Sequence, residues 1–465
     1  MQAFPTGMSR HIRPVVRAIA PRHIVNTTAL LLGLWLGIAQ PAWATDHGPL
    51  ELSMAVQAAL VRSQALSAQD AAVRSAREAA VAAGQRPDPV LRLSLENLPL
   101  EGEDRFSTTR DFMTSKSVSL MQTLPSQAKR QSRTQRFETE AHLALATRAQ
   151  RAVSVQRDTA LAWLERQAQE QRVALLRAQL TESRLQVQAA EASVRSGQPD
   201  AAGTPPSDTL SARDAVAQVQ QALLGAEAEL QNARQTLFRW TGTPADQPLA
   251  AVPAGTLQAL THTDMAVRQQ QHPDLAVLRA SESAAEADAE LARQERQPDW
   301  SVELMFSQRR PRYANMVSLA VSVPLQWDRA QRQDRELAAR LARVDELRAE
   351  REERARETLA ETERWQVAWR AGLAQLALLD RERLPLARQR VQLTLAAYRG
   401  GSARLTDVLA ERRAALAVEM ERVDLQLTTA RLWAQLEYLL PEPADLSHTN
   451  AAAAPATAAA PTQKD

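Results

Sequence analysis

Apolar positions in this chain follow two rhythms, and the whole succession of rhythms occurs twice. Steps of three and four residues mark long helices, and steps of two mark four short strands. The first half predicts a helix over residues 52–84, strands near 90–97 and 115–124, a long helix over 126–195 and a return helix over 208–240. The second half predicts a helix over 264–294, strands near 301–308 and 316–325, a long helix over 329–399 and a return helix over 406–439.

Residue-level parallels support the repeat. Arg62-Ser63-Gln64-Ala65-Leu66 matches Gln271-His272-Pro273-Asp274-Leu275, each opening an Ala-rich helix that stops at Pro87-Asp88 or Pro298-Asp299. Val118-Ser119-Leu120-Met121-Gln122-Thr123-Leu124 matches Leu319-Ala320-Val321-Ser322-Val323-Pro324-Leu325, and Arg130, Arg133 and Trp163 keep the spacing of Arg332, Arg335 and Trp365. A helix of about 70 residues is roughly 100 Å long. The first helix and the return helix of each half, about 30 residues apiece, together match that length and are expected to stack end to end beside it. The return helices carry a coiled-coil seam, Leu223, Ala226, Leu230, Ala233, Leu237 and Trp240 in one and Leu425, Thr429, Leu432, Leu436 and Leu439 in the other.

Strands 90–97 and 301–308 alternate apolar and polar residues, with the length and one-sided pattern of outer-membrane barrel strands. A small soluble β-domain has the same pattern. Four strands cannot close a barrel with a useful lumen, so a barrel would need several copies. Phe106, Phe112, Trp300, Phe306, Tyr313 and Trp327 gather around the strands, as interfacial girdles or as core aromatics.

At the far end of the second half, residues 397–409 join two helical patterns. Gly400-Gly401 frees the backbone at a helix C-terminus, Ser402 or Thr406 is placed to cap the next helix, and Asp407 falls in its first turn, where a carboxylate suits the dipole.

Composition then narrows the function. The 465 residues are 45% hydrophobic and 24% charged with 4% aromatics, a usage that favours long helices. Fifty-six basic against 54 acidic residues leave a net charge of +2, which speaks against a nucleic-acid-binding domain. No cysteine is present, which excludes disulfides and a lipidated N-terminal Cys. Residues 1–44 read as an export signal: Arg10, Arg13, Arg17 and Arg22 precede an apolar run over 29–39, and Ala42-Trp43-Ala44 forms the cleavage site, so the mature chain is expected to begin at Thr45. The first repeat then covers 45–246, a Pro/Ala linker 247–256, the second repeat 257–441 and a disordered Ala/Pro-rich tail 442–465. The seven histidines show no metal-ligand spacing, and no phosphate loop or nucleophile triad is present; no cofactor, bound metal or enzymatic activity is expected. His272-Pro273-Asp274 reads as a helix start, and the charge run 343–363 as a solvated helix face.

Over nearly the whole mature chain the sequence resembles the TolC-type outer-membrane efflux channels. Its most specific segment is Tyr398-Arg399-x-Gly-x-x-x-x-x-Asp407-Val408-Leu409, similar to that family's periplasmic tip motif. Pro87-Asp88-Pro89, Glu96-Asn97-Leu98-Pro99, Asp111-Phe112-Met113-Thr114, Met121-Gln122 and Lys129-Arg130 resemble the heavy-metal branch of the family, the outer component of cation or copper/silver exporters. The resemblance implies a mainly α fold with a β-barrel part. A homotrimer would form a twelve-stranded barrel in outer-membrane lipid and a periplasmic α-helical tunnel, with a periplasmic adaptor and an inner-membrane proton-driven pump as partners.

On that resemblance Asp407, with Arg404 or Arg412 as its ion-pair partner, becomes a periplasmic gate, and Gly400, Gly401, Leu405, Thr406, Val408 and Gly197 an adaptor-docking tip; a cap for Asp407 and simple turn chemistry for the glycines remain the plainer readings. Two departures stand out. The first tip, 197–207, is longer and Pro-rich, and the residue one turn beyond Asp407 is Ala410, so a doubled acidic ring is missing. The competing function is a periplasmic coiled-coil adaptor or structural protein of an export complex, which would need only one hairpin where this chain has two.

Overall fold

The computed structural model describes residues 48–196, 206–252, 255–260, 271–310 and 312–439. The expected export signal, Gly197 with most of the first tip, residues 264–270 and the tail 442–465 lie outside them.

In chain order the helices and strands are α1 (Leu52–Arg62), α2 (Gln64–Ala83), β1 (Val90–Glu96), β2 (Ser115–Leu124), α3 (Gln127–Ser196), α4 (Pro206–Thr241), α5 (Pro273–Glu295), β3 (Trp300–Gln308), β4 (Met316–Ser322), α6 (Gln333–Leu378), α7 (Leu384–Arg399) and α8 (Leu405–Glu437). The 52–84 helix is broken at Ser63, whose Oγ accepts from the N–H of Leu66 and so starts α2 with its own cap. The second long helix is also divided, because a π turn, Leu379–Arg383, separates α6 from α7. Pro385, just past it, has no N–H to give, and the wider turn accommodates that gap. β4 stops at Ser322, three residues short of the expected end, since Pro324 cannot donate to a ladder.

α1, α2 and α4 all pack along α3, so the end-to-end stacking is present. α1 meets the end of α4 where Gly242, at φ +73°, leaves room for the Arg62 guanidinium. The first seam is as expected, with Leu223, Leu230, Ala233 and Leu237 buried. The second is present in part: Thr429, Leu436 and Leu439 are buried and Leu425 and Leu432 half-buried, while Val423, Leu427, Ala430 and Ala434 are buried as well. α8 lies against both α3 and α6 and therefore covers two faces. Thr429 sits so close to Gly372 of α6 that a β-carbon there would meet its hydroxyl at 2.4 Å.

Around the expected linker 247–256, the described residues pack on the core: Ala245 is buried in it, and Leu249, Val252, Leu257 and Leu260 lie against it. Leu50 and Leu249 form a parallel bridge, and tryptophans from three helices donate their indole N–H to carbonyls of this girdle. Trp163 reaches Leu50 at 3.1 Å, Trp369 reaches Leu257 at 3.2 Å and Trp433 reaches Ala259 at 2.9 Å. Trp369, one turn beyond the repeat-matched Trp365, takes the role that Trp163 has in the first half. Arg166, with its side chain 2% exposed, donates to the carbonyls of Ala245 and Gln247. These carbonyls lie outside the long helices, in short 3-10 turns, the Leu50–Leu249 bridge and the chain beside them, and side-chain donors supply the partners that buried polar groups require.

Beyond one end of the rods the four strands form an antiparallel meander, β1-β2-β3-β4. β2 and β3 are the junction between the repeats, in register from Lys116↔Gln308 to Leu124↔Trp300. Lys129, almost fully buried, fixes the entry to β3 by donating to Asp299 Oδ1 at 2.6 Å and the Gln297 carbonyl at 2.7 Å.

His272 caps α5 from the second half of the repeat, as Ser63 caps α2: its Nδ1 accepts from the Asp274 N–H at 3.2 Å. Burial holds its pKa below the ordinary 6.5; Asp274 and Glu361 oppose that shift, while Arg354 and Arg157 add to it. Burial would raise Asp274, but hydrogen bonds from Gln150 and Arg354 overcome it and hold this carboxyl low. Between the folded-state pKa and 6.5 the unfolded chain binds more protons, so this contribution to stability is full above about pH 6.5 and falls away as pH drops. We expect the thermal midpoint of the protein to fall between about pH 7.5 and pH 5.5, and His272→Asn, which keeps a capping acceptor that does not titrate, to fall measurably less; equal slopes would show that His272 is not the titrating group.

Candidate functional site

The tip of the second hairpin is set by backbone chemistry. α7 ends in a Schellman motif: the Ser402 N–H donates to the Ala397 carbonyl at 2.9 Å and the Gly401 N–H to the Tyr398 carbonyl at 3.0 Å. Gly401 takes φ +76°, while Gly400 stays right-handed at φ −83°. Only one glycine of the pair is therefore required by conformation. Neither Ser402 nor Thr406 caps α8. Ser402 Oγ bonds back to Ala397, and the start of α8 is closed from within, by Asp407 Oδ2 accepting from the Arg404 N–H at 2.9 Å. Asp407 stands in the first turn and is exposed.

Of the residues expected at the docking tip, Leu405 and Val408 are buried, the latter completely. Leu405 and Leu409 pack on Ala190, Ala212 and Ala215 of the first half, with Tyr398 alongside. Leu405 and Leu409 thus tie the hairpin to the first half, and Val408 is buried beside them. The exposed surface of this tip is formed by Arg399, Gly400, Ser402, Arg404 and Asp407, with Thr406 partly covered. Arg412 is also placed differently from expectation. It pairs with Glu182 on α3 and so ties the two hairpins together. Residues 343–363 likewise do more than meet solvent: Arg348 and Arg351 hold Glu282, and Arg354 holds Asp274 at 2.6 Å.

The sheet is the second functional surface, and its two faces differ sharply. Leu91, Leu93, Leu95, Val118, Leu120, Val302, Leu304, Phe306, Val317, Leu319 and Val321 share one face by register, and Leu93 and Leu319 are 72% and 70% exposed. The other face carries Arg92, Ser94, Ser117, Ser119, Glu303 and Ser307, and the serines of β2 are nearly buried, so the sheet curls toward its polar side. Glu303 accepts from Ser119 and lies 3.7 Å from Arg92. Phe106, Phe112, Trp300, Phe306, Tyr313 and Trp327 are all exposed, which removes the core reading for them. Among the described residues no three His, Cys, Asp or Glu converge as metal ligands, and no helix is long and apolar enough to cross a membrane.

Long helical hairpins thus carry a short sheet with one exposed apolar face and one polar face. The chain belongs to the outer membrane efflux protein family, whose model matches residues 55–243 and 267–441. No curated protein matches the sequence. Among solved structures it is similar to CusC (16% identity, 83% of this chain and 91% of that one, TM-score 0.71). It is also similar to the Campylobacter jejuni CmeC channel (11%, 86% and 88%, 0.70) and to Vibrio cholerae VceC (18%, 83% and 95%, 0.65). It is thus an efflux protein of the outer membrane.

The two glycines of the tip are expected to respond unequally. Alanine at position 401 should cost roughly 1 kcal/mol from the left-handed backbone, read as a several-fold loss of amide-exchange protection through 397–405. Gly400→Ala, whose β-carbon meets only ordinary contacts at 3.5 Å, should leave protection unchanged.

Proposed function

We propose that three copies of this chain close one barrel of twelve strands, each contributing its meander, and that the helices below form a continuous periplasmic tunnel. The observation that carries this reading is the pair of unpaired edges, β1 and β4, on a sheet whose outer face is apolar and exposed. In lipid each edge N–H and C=O must find a partner, and β1 of one copy against β4 of the next supplies it without leaving a free edge. The exposed aromatics at the two ends of the strands fit the girdles of such a barrel. A periplasmic adaptor at the tip and a proton-driven pump in the inner membrane complete the machine. The chain itself conducts passively, and its cargo is heavy-metal cations. The metal-branch motifs and the likeness to CusC support that cargo, and the metal sensitivity of cells lacking the chain would read it out. A soluble adaptor fits poorly with so much apolar surface on one face of a sheet.

The absence of cysteine makes the closure testable directly. Leu93→Cys combined in turn with Val317→Cys, Leu319→Cys and Val321→Cys should yield, for at least one pair, disulfide-linked species up to a trimer; if none links separate copies, the barrel is closed some other way.

At the tunnel end, three copies of Asp407 would form one acidic ring, drawing in cations. Asp407→Asn keeps an acceptor for the Arg404 N–H but discards the charge. Cation selectivity in single-channel recordings should drop with the tip still ordered, and unchanged selectivity would leave Asp407 as a helix cap alone.

A further inference from the structure

The polar face of the sheet also carries thioethers among its serines and charges. Every methionine in the four strands, Met121, Met305 and Met316, is on this inner face, and none is on the outer face with Leu, Val and Phe. Met121 stands opposite Glu303; Met305 stands opposite Ser119 and Ser318; Met316 stands opposite Ser307. Each methionine is therefore the diagonal neighbour of the next, and together they form a ramp across β2, β3 and β4. The ramp rises from the helical end of the sheet toward the loops at 97–114 and 309–315. Each step advances two residues, about 7 Å, and diagonal partners on one face are within reach of long side chains. Met113, half exposed, stands in the loop just before β2, where the ramp ends.

We propose that this ramp is a set of weak thioether sites for a soft monovalent cation, Cu(I) or Ag(I), passing through the barrel. The inference rests on the barrel and metal-cargo reading above. A thioether is a neutral, polarisable ligand that selects such ions over Zn(II) or Mg(II). It needs no deprotonation, and holding the ion in several weak places allows it to leave as readily as it enters. The lower pair, Met121 and Met305, flanks Glu303, whose carboxylate supplies nearby negative charge although Arg92 and Ser119 share it. At the upper step the sulfur of Met316 already accepts from the Arg309 guanidinium at 3.0 Å, and Arg309 also lies over the Tyr313 ring. A cation arriving there meets a competing positive charge, which favours release at the mouth. The holding pair is therefore Met121 and Met305.

The test uses the full-length protein in detergent with silver nitrate in chloride-free buffer, and Zn(II) in parallel. Wild-type protein should bind Ag(I) saturably, and Met121→Leu/Met305→Leu should bind it at least ten-fold more weakly, with Zn(II) uptake the same in both. Leucine matches methionine in volume, and such exchanges are well tolerated. Should the double variant not assemble, methyl-labelled methionine in the wild-type protein gives the same answer: Ag(I) should shift the resonances of Met121 and Met305 and leave those of Met54 and Met420 in place. Unaltered silver binding in the double variant, or methyl shifts that spare Met121 and Met305, overturns the proposal. The cargo reading fails separately, if restoring the wild-type channel to cells that lack it gives no protection from silver or copper.

Discussion

Backbone hydrogen bonding in a medium without water is the constraint on which this molecule is built. A strand in hydrocarbon must have neighbours on both sides, and one chain supplies only four strands, leaving β1 and β4 each with an open edge. Both the doubling of the sequence and the pairing of β2 with β3 across the halves make these four strands one continuous wall segment. The apolar outer face is the complement of that choice. In water alone, Leu93 and Leu319 at around 70% exposure would favour aggregation, while against lipid they contribute favourably.

Long helices pose the opposite problem, since their backbone groups are satisfied internally and nothing fixes their position along one another. The girdle at their middle supplies that fixed point. Trp163, Trp369 and Trp433 come from three different helices and donate to Leu50, Leu257 and Ala259, while Arg166 donates to Ala245 and Gln247. Toward the tip, Arg412 with Glu182 and the packing of Leu405 on Ala190 repeat the tie between halves. Register along these rods is set by a few donors aimed at carbonyls and less by the continuous apolar seam.

Legibility in the sequence followed the range of the interactions. Alternation at Leu91, Leu93 and Leu95 is a local signal, and these residues share one face of a strand. The division at Ser63 was visible in principle, because Ser63 aligns with His272 at a helix start, but the Ala-rich run on both sides hid it. What depended on distant partners could not be read. Arg412 looked like a partner for Asp407 because both lie within two turns of one helix, yet its carboxylate is on α3. Leu405 and Val408 were placed at the docking tip by resemblance, and the alanines that cover Leu405, Ala190, Ala212 and Ala215, lie far off in the sequence. The stretch 247–256 looked like a linker because the indoles that bind its neighbours belong to other helices. Of the tip, the turn and the first-turn carboxylate were legible, and the cap's true donor, the backbone of Arg404, required coordinates.

The π turn at Leu379–Arg383 has one further meaning. Such a turn holds one residue more than the α-helical turn it replaces, and it is what a single inserted residue looks like in a helix pinned at both ends. Here the girdle contact of Trp369 lies on one side and the tip on the other, so the widened turn next to Pro385 sits between two fixed points. Ion pairs from Asp380 to Arg422 and from Arg383 to Glu421 hold the widened turn against α8. The first half, with α3 unbroken, shows no such accommodation. The two halves thus reach their tips with different helix geometry, one straight through and one with a widened turn that α8 clasps.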